Sequence, residues 1–240
     1  QPPEGRFEPQ PFEINLPQKI TPGLSEMPTG NTISTGGLVG VASNGIGILN
    51  PKSGRSENDE NIWHFNEVFA GEYTYENPGK YNDAGGYDYY LIPPAMIGKD
   101  KFTSGEHSPI IGWALDGIPI YGPHGYSNYN VNGTIANNDI VNIKSPFKLR
   151  ADMTSGRPQP GPGGAPTGLF LEDYVVDHTL AGTTGYAGTT HSGGDDFAIR
   201  YGVTPESPYT PIWFYVQCED DSGHPMFPYA LGGGAQEFPT

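Results

Sequence analysis

The sequence predicts a mainly β fold of short antiparallel strands and tight hairpins, sandwich-like or barrel-like, with one short helix. Its 35 glycines and 25 prolines separate short runs of β-branched and aromatic residues. The 15 tyrosines, 11 phenylalanines and 3 tryptophans supply a core that a disordered tract of similar composition would lack. Helical periodicity is confined to one window, GLFLEDYVVDHTL (168–180). These three observations favour a loop-rich globular β protein.

The individual elements follow from residue type and length. In the window 168–180, Leu171, Tyr174 and Val175 would share one face of a short helix. Eight other segments are rich in β-branched and aromatic residues and are bounded by Gly, Pro, Asn or Asp. The predicted strands are Leu38–Ala42, Ile46–Leu49, Trp63–Phe69, Tyr87–Ile92, Ile110–Leu115, Ile118–Tyr121, Phe197–Val203 and Ile212–Cys218.

Two of these regions repeat each other. GLVGVASNGIGILNP (37–51) and PIIGWALDGIPIYGP (109–123) align without a gap, and Asn44-Gly45 occupies the place of Asp116-Gly117. Both central residues of a type I′ turn need positive φ, so Asn-Gly and Asp-Gly between apolar runs predict hairpins. We therefore expect two related β-hairpins. Asp116 is then either a turn former or a ligand at a hairpin tip.

The distribution of proline predicts the domain organisation. We expect a Pro-rich N-terminal extension over residues 1–30, one β domain over 31–234 and a short tail over 235–240. The turn-rich loop SGRPQPGPGGAPTG (155–168) would either divide this domain or lie across it.

Charge and hydropathy exclude several partners. The chain has 27 acidic and 12 basic residues, a formal net charge of −15, and no cluster of Lys or Arg. Nucleic acid and anionic membranes are therefore not expected as partners. No apolar run approaches the length of a membrane span. The single cysteine, Cys218, excludes an intrachain disulfide and is predicted to be a buried strand residue.

Two kinds of metal site are open at this point. His107 and His124 flank the second hairpin, and with Asp88 and Asp116 they would form a transition-metal site, or else cap loops. Calcium is the other candidate cofactor, because hard cations prefer oxygen ligands on loops. The acidic segments are EDDS (219–222), GGDD (193–196) and NNDI (137–140), the first of which otherwise forms a polar hairpin turn.

Catalytic motifs are scarce in the sequence. There is no nucleophile elbow, no phosphate-binding loop with its lysine, and no dinucleotide fingerprint. This favours a non-enzymatic role, although a pair of glycosidase carboxylates stays open.

Tyrosine is concentrated in one segment. Six tyrosines lie in YTYENPGKYNDAGGYDYY (73–90): Tyr73, Tyr75, Tyr81, Tyr87, Tyr89 and Tyr90. Tyrosine is favoured in interfaces and sugar-binding surfaces, so these residues would form subunit contacts, bind glycans, or simply pack one face of a sheet. Asn132 begins an N-glycosylation sequon.

Five ordered blocks resemble YHYH-domain proteins, a class of mostly secreted domains named for a Tyr-His-Tyr-His motif. The blocks are GVASNGIGILNP, GYDYYLIPPAMI, HSPIIGWALDGIPIYGP, RYGVTPESPYTPIWFYV and GHPMFPYALGG, within residues 30–233. The name motif falls on Tyr87-Asp88-Tyr89-Tyr90, so both histidines are replaced, and the cysteines that flank it in the family are missing. The resemblance implies a secreted scaffold that has lost the family's imidazole groups.

Together these patterns predict a secreted, non-enzymatic structural or adhesive protein. Its expected place is an extracellular assembly such as a fibre, sheath or matrix, with self-association or contacts to other matrix components. The alternative is a monomeric extracellular domain that binds a divalent cation or a glycan, or a hydrolase.

Overall fold

A computed structural model of the chain describes residues 37–60, 62–81, 86–97, 105–115, 117–127, 140–150, 157, 162–181, 183–187 and 199–229. The strands in this part of the chain are β1 Leu38–Ala42, β2 Gly47–Leu49, β3 Lys52–Ser56, β4 His64–Asn66, β5 Gly79–Tyr81, β6 Tyr87–Tyr89, β7 Ile110–Ala114, β8 Pro119–Tyr121, β9 His124–Tyr126, β10 Ile140–Asn142, β11 Phe147–Leu149, β12 Tyr174–Val176, β13 Ile199–Thr204 and β14 Ser207–Val216. Helix α1 spans Glu67–Ala70, and single 3₁₀ turns span Glu57–Asp59, Pro94–Ile97 and Leu171–Asp173. The predicted mainly β fold is confirmed.

Eight of these strands form one mixed sheet in the order β13-β14-β8-β7-β1-β2-β6-β5. The β2–β6 and β8–β14 pairs are parallel, and the other pairs in this sheet are antiparallel. Strands β13 and β5 lie at opposite ends, so the sheet is open and does not close into a barrel. Three two-stranded sheets, β3–β4, β9–β10 and β11–β12, accompany it. No helix in the described ranges has the length and apolar character needed to cross a membrane.

Both predicted hairpins are present as β1–β2 and β7–β8. The type I′ turn expected at Asn44-Gly45 is wrong, because Asn44 does not have positive φ. The amide of Gly45 donates to the carbonyl of Ala42 at 2.8 Å, so Ser43 and Asn44 are the central turn residues and Gly45 follows them. Gly45 and Gly117 have φ values of 86° and 85°, which only glycine adopts without strain at such a turn. Asp116 itself lies outside the described residues.

The two hairpins pair with each other around a local two-fold axis. β1 and β7 are antiparallel, with Val41 opposite Trp113, and these two residues occupy the same place in the sequence repeat. The two hydrogen bonds on either side of the Val41–Trp113 pair are related by the same two-fold axis. The amide of Ser43 donates to the carbonyl of Ile111 at 2.8 Å, and the amide of Leu115 donates to the carbonyl of Val39 at 3.0 Å.

The duplication extends to the ends of the sheet. Ile48 of β2 pairs with Tyr89 of β6, and the equivalent Ile120 of β8 pairs with Tyr215 of β14. Beyond them, β5 and β13 are equivalent edge strands that place Tyr81 and Tyr201 at matching positions. Each of these two tyrosines packs on a cross-strand ring, with ring centroids 5.0 Å apart for Tyr81–Tyr87 and 4.9 Å for Tyr201–Trp213.

The small hairpins repeat as well. β3 follows β2 and pairs with β4, with Lys52 opposite Asn66. β9 follows β8 and pairs with β10, with His124 opposite Asn142. Glu67, which follows Asn66, donates its amide to the carbonyl of Pro51 at 2.8 Å. Ile143, which follows Asn142, donates its amide to the carbonyl of the equivalent Pro123 at 2.7 Å. The chain is therefore built from two halves, β1–β6 and β7–β14, with β11 and β12 added to the second.

The predicted helix over 168–180 is wrong. That segment forms the 3₁₀ turn Leu171–Asp173 and then strand β12, which pairs with β11. The carboxylate of Asp173 is fully buried and accepts hydrogen bonds from the amides of Gly168 (2.8 Å) and Phe170 (3.2 Å). These contacts fix a turn at the place where a helix would need its first repeating bonds, and Val175 and Val176 then favour an extended strand.

The predicted strand Trp63–Phe69 is shorter than expected. β4 ends at Asn66, whose side-chain oxygen accepts hydrogen bonds from the amides of Val68 (3.2 Å) and Phe69 (3.4 Å) and caps α1. Cys218 is fully buried, as the sequence predicts, and burial raises the pKa of its thiol.

Candidate functional site

The tyrosines of the name motif point in two directions. Tyr89 is buried in the core of the main sheet, and its hydroxyl accepts a hydrogen bond from Asn44 Nδ2 at 3.2 Å. Tyr90 is buried on the other side, 4.9 Å from the ring of Tyr73 between centroids, with Lys80 Nζ 5.2 Å from its ring centroid. Burial raises the pKa of Tyr90. Two of the four motif positions therefore serve packing.

The remaining predicted interface tyrosines differ in exposure. Tyr75 and Tyr87 are half-buried, and the hydroxyl of Tyr75 donates to Glu219 Oε1 at 2.5 Å. Tyr81 is 59% exposed on the edge strand β5. Of the six predicted tyrosines, Tyr81 offers by far the most surface to a partner.

Asp88 lies apart from the two predicted histidine ligands. Its carboxylate fits over Gly47, where an added Cβ would come within 2.7 Å of Asp88 Oδ1. Strands β2 and β1 separate β6 from β7, which corresponds to ~14 Å across the sheet. His107 precedes β7, so the structure does not bring Asp88 and His107 together.

The two histidines lie side by side at the open end of the second hairpin. The amide of Ser108 donates to the carbonyl of His124 at 2.8 Å, and the amide of His124 donates to Ser108 Oγ at 2.9 Å. Burial lowers the pKa of both imidazoles. In the described ranges no group of three or more His, Cys, Asp or Glu side chains could hold a metal ion.

His107 is enclosed by aromatic rings. Its ring centroid lies 5.3 Å from that of Tyr121, 4.9 Å from that of Tyr126 and 6.4 Å from that of Phe214. Its Nδ1 lies 2.7 Å from the carbonyl of Ser108, which requires Nδ1 to donate and leaves Nε2 as an acceptor. The sequence therefore singled out a histidine that the fold encloses. It did not predict the rings around this histidine, which belong to other segments of the chain.

The electrostatics around His107 keep the imidazole neutral. Burial is the largest cause of its lowered pKa, and Glu206 and Arg200 act in opposite directions. Its Nε2 is buried without a hydrogen-bond partner among the described residues and lies 3.4 Å from the Cβ that Gly125 lacks. The hydroxyl of Tyr121 donates to Glu206 Oε2 at 2.7 Å. The Nε2 of His107 could accept one hydrogen bond.

A buried ion pair between Arg157 and Asp173 was not predicted from the sequence. The guanidinium of Arg157 contacts both carboxylate oxygens of Asp173, with Nε and Nη2 each 2.7 Å away, and both side chains are buried. It also donates to the carbonyls of Pro162, Ala165 and Pro166 at 2.8–3.1 Å. The only signal in the sequence was a lone arginine in a loop of glycines and prolines. This arginine holds the loop against the domain.

A second buried pair joins His64 and Glu172. The amide of His64 donates to Glu172 Oε2 at 2.7 Å, and its Nδ1 lies 2.6 Å from Oε1. Both side chains are buried, and Lys52 is buried nearby with a pKa that burial lowers and Glu172 raises. The two pairs close one end of the β3–β4 hairpin.

The acidic segment at 219–222 is a hairpin turn. The amide of Asp220 donates to the carbonyl of His224 at 2.9 Å, and its carboxylate accepts from the amides of Ser222 (2.8 Å) and His224 (2.9 Å). The segment EDDSGHP therefore forms a polar hairpin turn. Asn132, GGDD at 193–196 and most of NNDI at 137–140 lie outside the described residues.

Comparison with known proteins gives one finding. The sequence profile of the family described as YHYH protein matches residues 17–215, which is most of the chain. No curated protein and no solved structure matches it significantly. With its ordered blocks of sequence on one duplicated β framework, the chain belongs to the YHYH protein family.

Proposed function

We propose that this chain is a secreted, non-enzymatic structural or adhesive protein that serves as a subunit of an extracellular assembly such as a fibre, sheath or matrix. The observation that carries the proposal is the open eight-stranded sheet. In the described part of the chain, both β5 and β13 have a neighbouring strand on one side only. Sheet edges of this kind accept strands from other chains.

The chemistry of the candidate site also supports a structural role. The carboxylates of Asp173, Glu172 and Asp220 accept hydrogen bonds within the fold and hold loops in place. His107 and Tyr121 are packed among rings. These groups therefore serve to stabilise the framework.

An exposed aromatic side chain supplies a second contact feature. β14 bulges between Ser207 and Ile212, and Tyr209 stands in this bulge between two prolines, 85% exposed. Proline restricts the backbone before contact is made, and tyrosine gives a large contact area at low entropic cost. Such a side chain suits attachment to a neighbouring subunit or to a matrix component.

Light scattering during size-exclusion chromatography tests the proposal. The full chain should show a mass that rises with concentration above that of the 25.8 kDa monomer, and electron microscopy should show fibres or sheets. Immunolabelling of source cells should place it outside the cell. A strict monomer at high concentration would contradict the assembly role.

The same samples test the competing role of a monomeric binding module. Elemental analysis for calcium, copper and zinc, and a glycan array, should detect nothing at stoichiometric level. A bound ion or glycan on a monomer would favour the alternative function instead.

A further inference from the structure

We propose that Asn44 is a site of spontaneous deamidation and that the hydroxyl of Tyr89 sets the rate of this modification. The reacting group is the carboxamide of Asn44, and the only co-reactant is water. The reaction needs neither a partner chain nor a cofactor, so it is independent of the proposed assembly. It gives a role to Tyr89, the third residue of the segment that corresponds to the name motif.

The residue that follows an asparagine decides how readily its side chain cyclises, because the nucleophile is the backbone nitrogen of that residue. In the described part of the chain, Asn44 alone is followed by glycine, and the other asparagines precede proline, aspartate, glutamate or isoleucine. Proline has no N–H, and the other side chains crowd the nitrogen. Asn44 and Gly45 are exposed at the tip of β1–β2, and a Cβ added at Gly45 would have no atom beyond its chain neighbours within 4 Å. Water and base therefore reach the reacting groups.

The reaction balances with water alone. Base takes the proton from the amide of Gly45, and the nitrogen attacks Cγ of Asn44. The new C–N bond closes a cyclic imide, and the bond from Cγ to Nδ2 breaks with loss of ammonia. Water then opens the imide at either carbonyl, which leaves aspartate or isoaspartate at position 44. Nothing is oxidised or reduced.

Three hydrogen bonds oppose ring closure in the folded chain. The amide of Gly45 donates to the carbonyl of Ala42 at 2.8 Å, so the turn holds the nucleophile. Asn44 Oδ1 accepts from the amide of Ile46 at 3.1 Å, and Nδ2, the leaving group, donates to the hydroxyl of Tyr89 at 3.2 Å. Reacting atoms have to approach in a defined geometry, so the carboxamide has to leave these partners before Gly45 can attack it. Deamidation therefore proceeds through local opening of the hairpin tip.

The bond to Tyr89 differs from the other two, because it ties the tip to the core of the sheet. Ala42 and Ile46 adjoin the turn and move with it. Tyr89 lies on β6, where it is only 7% exposed and its ring packs on that of Tyr87 with centroids 5.7 Å apart. The hydroxyl thus keeps its position when the tip fluctuates. Its loss should raise the rate at which the carboxamide becomes free.

The equivalent turn indicates which product the fold accommodates. Asp116 occupies the place of Asn44 in the sequence repeat, and β7–β8 forms a hairpin with it. Aspartate at position 44 is therefore compatible with β1–β2, and its carboxylate can accept a hydrogen bond from the hydroxyl of Tyr89. Isoaspartate places its Cβ in the backbone, so the turn is one atom longer and the bond from the amide of Ala42 to the carbonyl of Ile46 (2.8 Å) loses its geometry. One product is thus neutral for the hairpin and the other weakens it.

Site-specific mass spectrometry of the full chain tests the proposal. Folded wild type is incubated in mildly alkaline buffer, next to wild type unfolded in guanidinium chloride, and the loss of ammonia at Asn44 is followed in peptide maps. We expect Asn44 to react in the folded chain, at a lower rate than in the unfolded chain. Enzymatic methylation of isoaspartate identifies the product. Asn44→Gln, which keeps a carboxamide on a longer side chain, should lose no ammonia there.

Tyr89→Phe removes the hydroxyl and keeps the ring. Because one hydrogen bond to the carboxamide is lost, deamidation at Asn44 in the folded variant should be about two- to tenfold faster than in the wild type. Tyr90→Phe is the matched control, since Tyr90 is buried in a different part of the core, and it should leave the rate unchanged. Thermal unfolding confirms that both variants are folded at the incubation temperature. In guanidinium chloride all three chains should react equally fast.

Each alternative result overturns a defined part of the proposal. An equal rate in Tyr89→Phe and wild type would show that the hydroxyl does not hold the carboxamide back. Equal acceleration in Tyr90→Phe would assign the effect to a general loss of stability. A carboxamide of Asn44 that stays intact in every folded chain, while the unfolded chain loses it, would remove the site altogether. None of these results touches the assembly role, which light scattering measures separately.

Discussion

The two halves of the molecule share a backbone plan and differ in the chemistry that closes it. Beside the first-half hairpin β3–β4, Glu172 from the segment added to the second half hydrogen-bonds to His64, and its neighbour Asp173 is paired with Arg157. In the second half, the equivalent hairpin β9–β10 packs near a neutral His107 and a set of aromatic rings. The same sheet therefore tolerates two different kinds of interior, and the framework depends on strand pairing more than on particular polar groups.

The repeat also explains how the name motif can change. Positions 87–90 of the first half correspond to Trp213, Phe214, Tyr215 and Val216 of the second. The two places where the family has histidine hold Asp88 and Tyr90 here, and Phe214 and Val216 occupy the equivalent places. An aromatic or apolar residue is thus compatible with this strand position.

The largest expected effect comes from breaking the buried ion pair between Arg157 and Asp173. Arg157→Ala leaves the carboxylate of Asp173 buried without its cation, which costs about 3–5 kcal/mol in the free energy of unfolding. Urea denaturation of the full chain measures it. Arg55→Ala is the matched control, because Arg55 is mostly exposed and lies 3.8 Å from Glu67, so its loss should cost less than about 1 kcal/mol. Equal costs would contradict the assigned difference.

The next largest effect on stability is expected at Asn66 and Asn142, which occupy equivalent positions in the two halves. Asn66 caps α1 and donates to the hydroxyl of Tyr229 at 3.1 Å. Asn142 donates to the carbonyls of Glu219 (3.2 Å) and Asp220 (2.7 Å). We expect Asn66→Ala to cost about 2–3 kcal/mol and Asn142→Ala about 1–1.5 kcal/mol, because the first loses a helix cap as well as buried bonds. The reverse order in chemical denaturation would show that the second half depends more on its asparagine.

The neutral imidazole of the second half predicts a pH dependence. The pKa of His107 is lowered in the folded state, so the unfolded chain takes up the proton first as the pH falls through about 6.5. Stability should be full above about pH 7 and should decline towards pH 5. In His107→Phe this decline should be smaller, and in the control His178→Phe, at an exposed position, it should stay as in the wild type. An unchanged slope in His107→Phe would contradict the assigned pKa.

The smallest effect is expected at a surface carboxylate of the second half. A hydrogen bond from Lys148, with further bonds from Thr179, lowers the pKa of Asp177 to about 2. Its contribution is present above the unfolded pKa of about 3.9 and is lost as the pH falls through 2. Asp177→Asn should lower the melting temperature slightly at pH 6, and the difference should disappear as the pH falls well below 2. A difference that persists there would assign the effect to packing.

Local signals in the sequence predicted the parts of the fold that are held by local bonds. Asn-Gly and Asp-Gly identified the place of both hairpins, because each turn needs a glycine with positive φ, although the type I′ geometry expected at Asn44-Gly45 was wrong. The helix predicted over 168–180 failed because Asp173 is held by Arg157, 16 residues away. β3 was not found, since KSGRS lacks the apolar alternation of a strand. Of the two edge strands, β13 was predicted as Phe197–Val203 and β5, with only three residues, was not.

The candidate site was predictable to the same extent. His107 and His124 flank one hairpin, and the backbone of His124 is hydrogen-bonded to Ser108, the neighbour of His107. Asp88 could not be placed, because strand order in a sheet is set by long-range pairing and two strands separate β6 from β7.

Hydrogen–deuterium exchange of the two edge strands tests the central claim most directly, namely that the chain assembles through an edge of its open sheet. Peptides that cover Ile199–Thr204 and Gly79–Tyr81 are compared in dilute and concentrated samples of the full chain. The amides of at least one edge strand should become protected as the protein assembles. Exchange rates that stay unchanged at both edges at every concentration would contradict the claim.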